Sequence, residues 1–149
     1  MARPAVEGRD ETSNQRNTIE ERRTHAEHSA NRSVHSRGGR ARARKFYEEK
    51  VGLKPKQEYA GGVVYECGNG SWVFMYPSAG AGTSQASTAF WAVDDVMAEV
   101  AVLKSRGVKF EDYDMPGLKT VDGIATGGGA KTAWFKDTEG NILAVSQRV

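Results

Sequence analysis

The 149 residues contain a single cysteine, Cys67, which leaves no partner for an internal disulfide and no second thiol for a zinc cluster. Nowhere do about 18 apolar residues run together, as a spanning helix requires. The opening stretch, MARPAVEGRDETSNQRN, has no apolar centre of the kind a signal peptide carries. Together these absences point to a reducing, cytoplasmic setting and no membrane partner. Charge of one sign is also missing: 21 basic residues stand against 19 acidic ones, a net of +2, so there is no general electrostatic case for nucleic acid. What remains, 38% apolar and 27% charged, is the composition of one ordinary globular domain, and collagen-like or disulfide-rich classes are excluded.

The composition changes near residue 39. Residues 1–39 have no Phe, Tyr, Trp, Leu or Lys, yet hold His25, His28, His35 and seven arginines. So little apolar area does not offset chain entropy, which predicts a disordered or irregular tail with at most a frayed helix around Ile19 to His28. Residues 40–149, with every lysine and every aromatic, are left as the folded domain.

Within that domain one pattern occurs twice. Ala43, Phe46, Tyr47 and Val51 recur at helical spacing and Gly52 closes the helix; Val96, Val100 and Leu103 form a second stripe, capped by Asp94 or Asp95 and closed by Gly107. Strands follow each helix. Gly62 to Cys67 and Ser71 to Tyr76 join at Gly68-Asn69-Gly70, and Lys131 to Lys136 and Asn141 to Gln147 join at Thr138-Glu139-Gly140. A strand from Ala86 to Val93 precedes the second helix, but the first is preceded by Arg32-Ser33-Val34-His35-Ser36-Arg37-Gly38-Gly39, with one strongly apolar residue and no capping side chain. The repeat therefore predicts a first strand that is missing or irregular, through a displaced reading frame or a misplaced start. The sheet edge left open predicts a homodimer.

Three segments carry a family likeness. Arg42-Ala43-Arg44-Lys45-Phe46-Tyr47-Glu48-Glu49-Lys50-Val51-Gly52-Leu53 resembles the first helix of the vicinal oxygen chelate superfamily, which includes glyoxalase I, bleomycin-resistance proteins and extradiol dioxygenases. Phe90-Trp91-Ala92-Val93-Asp94-Asp95-Val96 is similar to its entry into a second module, and Ala133-Trp134-Phe135-Lys136-Asp137-Thr138-Glu139-Gly140-Asn141 to its final hairpin. The resemblance implies an α+β fold of paired βαβββ modules around a cleft, and homodimers are common in the superfamily. It also implies four metal ligands, whose positions fall here near Arg32, on Phe74 (Met75 if the register slips by one), on Thr88 and on Ala144. None is a good donor for a divalent metal, so no family-type metal and no other cofactor is expected.

Strand alternation puts Trp72, Phe74 and Tyr76 on one face, Thr88, Phe90 and Ala92 on another, and Ile142, Ala144 and Ser146 on a third, all toward the family's cleft. Such a lining suits a small-molecule site, although aromatics there also serve simply to fill an interior. The Gly-rich stretch from Asp114 to Gly129 reads as a long loop or lid over the cleft, with Lys119, Thr120 and Asp122 as polar contacts. The ligand-binding set is thus Trp72, Phe74, Tyr76, Thr88, Phe90, Lys119, Thr120, Asp122, Ala144 and Ser146.

Other features carry less. Cys67 reads as a small buried apolar residue, because the domain has no histidine to activate it. Glu66, Tyr113 and Asp122 are the groups left for acid–base chemistry. Gly129-Ala130-Lys131-Thr132 lacks the glycines of a phosphate loop, and the cluster Arg37, Arg40, Arg42, Arg44 and Lys45 has no interleaved aromatic, so it reads as a solvated face. The first functional expectation is a metal-free protein that binds a small hydrophobic or aromatic molecule, by sequestration as bleomycin-resistance proteins do. The alternatives are a lyase or isomerase of the superfamily acting on a small metabolite, and an inactive or truncated member.

Overall fold

In the computed structural model, which describes residues 32–36 and 39–149, the sequence repeat becomes two four-stranded sheets of identical connectivity. The first holds β1 (Arg32–Ser36), β2 (Lys54–Tyr59), β3 (Gly62–Glu66) and β4 (Trp72–Pro77) in the order β1-β4-β3-β2. The second holds β5 (Ala89–Ala92), β8 (Ile124–Gly127), β9 (Ala130–Lys136) and β10 (Ile142–Arg148) in the order β5-β10-β9-β8. In each, the first strand lies parallel to the last and the other pairs are antiparallel. Between first and second strands run the helices: α1 (Arg40–Lys45), which continues as a π-helical Phe46–Val51, and α2 (Val96–Ser105). The outcome is the α+β architecture of two βαβββ units.

Local chemistry sets the helix ends. Asp95 caps α2 by accepting from the Ala98 amide at 3.0 Å, whereas α1 starts at Gly39 with no side-chain cap. Gly52, at φ 84°, ends the first helix in the left-handed conformation that only glycine takes at little cost.

Two expectations are corrected. The first strand is neither missing nor irregular: Arg32–Ser36 pairs in unbroken register with β4, Arg32 opposite Val73 through Ser36 opposite Pro77. A strand at a sheet edge is held by backbone N–H and C=O groups, which β4 presents whatever the partner's side chains, so a weak apolar pattern did not prevent pairing. The domain thus begins inside the stretch read as tail, His35 joins the sheet, and the open β4 edge that argued for a homodimer is covered. The stretch from Asp114 to Gly129 is likewise not a plain loop. It holds a small hairpin, β6 (Asp114–Met115) with β7 (Leu118–Lys119), and β8, the outer strand that pairs with β9 in the second sheet. Glycine-rich composition hid this short edge strand. The reading of residues 1–31 lies outside the described residues.

The faces of both sheets that meet the helices form one core. Tyr47, Tyr65, Val73, Met75, Ala89, Phe135 and Leu143 are completely buried, with Trp91, Leu103 and Val145 nearly so. The Trp91 and Phe135 rings stack at 6.4 Å, and Tyr47 lies 5.9 Å from Tyr65. One polar cluster is sealed into this core. Asp137, at the turn between β9 and β10, accepts from Tyr47 Oη at 2.6 Å, Asn141 Nδ2 at 2.7 Å and the amides of Asn141 and Glu139 at 2.8 and 2.9 Å. The Asn141 carbonyl oxygen Oδ1 in turn accepts from the Gly82 amide at 3.0 Å. Beside it Arg42 grips the Glu139 carboxylate through Nε and Nη2, at 3.0 and 2.9 Å. The first helix of one module is thereby tied to the last turn of the other.

Removing the Tyr47 hydroxyl leaves Asp137 one donor short, so Tyr47→Phe is expected to lower unfolding free energy by about 1–2 kcal/mol in urea titration. Burial, and then the Asp137 carboxylate, raise the Tyr47 hydroxyl well above its ordinary value of 10.0. The native state therefore keeps a proton that the unfolded chain releases, and stability is full below pH 10 and falls above it. Tyr65 is raised by burial and Glu48 as well, so Tyr47→Phe should reduce the alkaline slope without abolishing it. A second expectation concerns Gly62. A methyl group there meets the Met75 carbonyl oxygen and comes within 2.7 Å of the Phe74 ring, so Gly62→Ala should lower unfolding free energy by about 1–3 kcal/mol, read in the same titration.

Candidate functional site

The opposite faces of the two sheets, turned away from the helices, carry the aromatic residues that the core does not use. On the first sheet Phe74 pairs with Val64, and Trp72 with Glu66. Phe74 stacks on Tyr76 at 5.6 Å and meets Tyr59 edge-on at 6.4 Å. On the second sheet Trp134, Ala144 and Phe90 stand in one row across β9, β10 and β5, with Thr132, Ser146 and Ala92 in the next. Thr132 and Ser146 share a hydrogen bond of 2.8 Å. The edge strands β1 and β5 lie in contact, which brings the two faces side by side.

Exposure separates these rings from the core. Trp72 is 37% and Phe90 36% exposed, and Phe74, Tyr76, Thr88 and Ser146 are half-buried, whereas their neighbours Val73, Met75 and Ala89 are sealed. This settles the register at β4: Phe74 is on the open face and Met75 in the core. Ala144 is only 2% exposed, at the base of the row between Phe90 and Trp134.

The three polar candidates are placed elsewhere: Lys119 and Thr120 are engaged within their own segment, and Asp122 with α2. Lys119 lies on β7 with Nζ 3.7 Å from Asp114, and the Thr120 hydroxyl accepts from the Tyr113 amide at 2.8 Å and lies 3.2 Å from Asp112. Asp122, left-handed at φ 54°, accepts through its carbonyl from Lys104 at the end of α2. Tyr113 brings this segment to the open face, its ring edge-on to Trp134 at 5.6 Å. Trp134 and Tyr113 are thus additions to the predicted lining. Alternation of Ala133 and Phe135 with Thr132, Trp134 and Lys136 was the available signal for the first; nothing local marked the second.

The residues do not fit a divalent metal. Phe74, Thr88 and Ala144 hold three of the positions that the resemblance assigns to ligands, and in register Ser33 rather than Arg32 stands beside Phe74. Among the described residues, no three His, Cys, Asp or Glu side chains gather as a metal site needs. Glu66 is exposed and paired with Lys56 at 3.0 Å. Cys67 is half-buried, accepts a weak hydrogen bond from Trp91 Nε1 at 3.4 Å, and burial pushes its thiol up, which opposes a thiolate nucleophile. The basic cluster is largely consumed by internal contacts: Arg44 binds Glu48 and Glu58, Arg42 binds Glu139, Arg40 donates to the Tyr59 carbonyl, and Lys45 lies 4.0 Å from Glu49. Among the described residues, no helix is long and apolar enough to cross a membrane.

Comparison with known proteins agrees with this architecture. Among solved structures, the chain is similar to TnmS3, an antibiotic binding protein from Streptomyces sp. CB03234, at 20% identity and TM-score 0.60, covering 83% of this chain and 98% of that one. It is similar to a glyoxalase/bleomycin resistance protein/dioxygenase from Alicyclobacillus acidocaldarius at 16% identity and TM-score 0.61, covering 83% and 92%. A glyoxalase/bleomycin resistance protein from Streptomyces sp. CB03234 is 21% identical, with TM-score 0.58 and coverage of 79% and 100%. No curated protein matches the chain. The family model of the Glyoxalase/Bleomycin resistance protein/Dioxygenase superfamily matches residues 37–145, so the chain belongs to that superfamily.

Proposed function

We propose that the protein binds a small, flat hydrophobic or aromatic molecule on the open sheet faces and acts by sequestering it, without a metal. The observation that carries this reading is the set of incompletely buried rings, Trp72, Phe74, Tyr76, Phe90 and Trp134, on faces that the core does not need. Large aromatics left partly in water keep unused apolar area, and stacking on them adds about 0.5–1.5 kcal/mol per ring pair beyond burial. The Thr132 and Ser146 hydroxyls and Thr88 supply the few polar groups that orient a ligand. The similarity to an antibiotic binding protein supports the same class of role. Thr120, bonded to the Tyr113 amide, serves this reading as a rim residue, with Lys119 and Asp122 beside it on the same segment.

The test is titration of the full chain with 2-naphthol, followed by tryptophan fluorescence. Saturable quenching is expected, and Trp72→Ala and Phe90→Ala should each weaken binding by about tenfold while leaving the melting temperature within a few degrees of the parent. Unchanged affinity in both variants would remove these faces as the site. Nickel, zinc, manganese and iron are expected to leave the melting temperature unmoved, since a metal that bound only the native state would raise it. A stoichiometric, stabilising metal would instead favour the lyase or isomerase alternative.

A further inference from the structure

A cavity of about 380 Å³ lies on the other side of the sheets, and none of the ten predicted ligand residues lines it. Its walls come from the end of the first helix (Val51, Leu53), from α2 (Glu99, Leu103), from the turn between β3 and β4 (Cys67, Gly68, Asn69), and from the core residues Trp91, Phe135 and Val145. The repeat explains why space is left here. In one junction the first helix meets the turn between β9 and β10, and the Tyr47 ring fills it, its hydroxyl on Asp137. In the other junction α2 faces the turn between β3 and β4 across the cavity. Counting back from the left-handed glycines Gly52 and Gly107, and allowing for the extra residue of the π-helical turn, Leu103 stands where Tyr47 does. The turn facing it offers Cys67 and Gly68 instead of a carboxylate. At the second junction the turn is met from β5 instead, by the Trp91 indole with Nε1 3.4 Å from Cys67, and no ring stands at the Leu103 position.

The cations around this cavity are engaged or solvated: Arg106, at its rim, donates to the Val51 carbonyl at 3.4 Å. Glu66 is taken by Lys56, and Lys54 is exposed to solvent that screens it. Glu99 is half-buried, and its carboxylate has no hydrogen bond or ion pair among the described residues. Burial raises its proton affinity, and the charge of Arg106 partly opposes this.

We propose that this cavity is a second small-molecule site, separate from the open sheet faces, for a compact aromatic amine: the ring lies among Trp91, Leu103 and Phe135, and the ammonium binds the Glu99 carboxylate. A charge-assisted hydrogen bond to a partly buried carboxylate is the strong kind, and the volume lies in the usual range of small-ligand pockets, about 300–1,000 Å³.

The experiment uses benzylamine, with benzyl alcohol and benzoate as ring-matched controls, titrated into the full chain and followed by amide and indole NMR. Benzylamine is expected to shift the Trp91 Nε1–H, Cys67 and Glu99 resonances saturably, with benzyl alcohol at least about tenfold weaker and benzoate weaker still. Glu99→Gln should lose about tenfold for benzylamine and erase its preference over the alcohol, while Leu103→Tyr, which refills the junction, should abolish both. Should Leu103→Tyr not fold, Cys67→Leu intrudes on the same space and is read the same way. Shifts confined to Trp72 or Phe90, equal affinity for amine and alcohol, or unaltered binding in Glu99→Gln would each overturn the proposal. Binding of 2-naphthol at the open faces is read separately, from Trp72→Ala and Phe90→Ala, neither of which lines this cavity.

Discussion

The structure depends on a single buried acceptor. Asp137 gathers the Tyr47 hydroxyl, the Asn141 side chain and two backbone amides around one carboxylate, and so fixes the tight turn after β9 and the seat of the first helix together. A buried carboxylate is tolerable only when its lone pairs are matched, and here four donors meet them. Because Tyr47 belongs to the first module and Asp137 to the second, the two halves do not merely touch through apolar area; a directional contact sets their mutual position. Glu139 and Arg42 repeat the link at the rim, across the same junction. The side-by-side placement of the two open sheet faces rests on that fixed relation.

Much of this was legible in the residues because the relevant physics is local. Asp95 before an apolar stripe, Gly52 after one, and Asp137 through Asn141 between two alternating runs announce a cap, a helix end and a hairpin, and each is where its chemistry requires. Alternation through Trp72 to Tyr76 sorted core from open face residue by residue. The failures share a cause as well. Arg32–Ser36 and Ile124–Gly127 are edge strands, recruited by the unpaired backbone of a neighbour, and their own side chains need say little. The contacts of Lys119 and Thr120 with Asp114 and Tyr113 come from a hairpin that composition concealed, and that of Asp122 with Lys104 from the end of α2. A cavity is less legible still, since it records what two distant segments fail to fill.

The two sheets thus act as partitions with different chemistry on each side. One side keeps aromatic rings at the surface with hydroxyls between them; the other keeps a sealed core interrupted at one junction by a void beside Glu99. Trp91 and Phe90 are neighbours in sequence on opposite sides of β5, so a ligand on either face touches a strand that the other also uses. Among the described residues neither side gathers the three His, Cys, Asp or Glu side chains that a metal site needs.

The parallel first strands have a kinetic meaning. The hairpins β2 to β3 and β3 to β4 close over a few residues, and so do β8 to β9 and β9 to β10, but β1 meets β4 only after about forty intervening residues, and β5 meets β10 after more than fifty. Loop closure over such lengths must precede any reward from contact, which places both first strands late in the order of assembly. Each module would then condense as a helix and a three-stranded meander, with its leading strand added afterwards along an edge already formed.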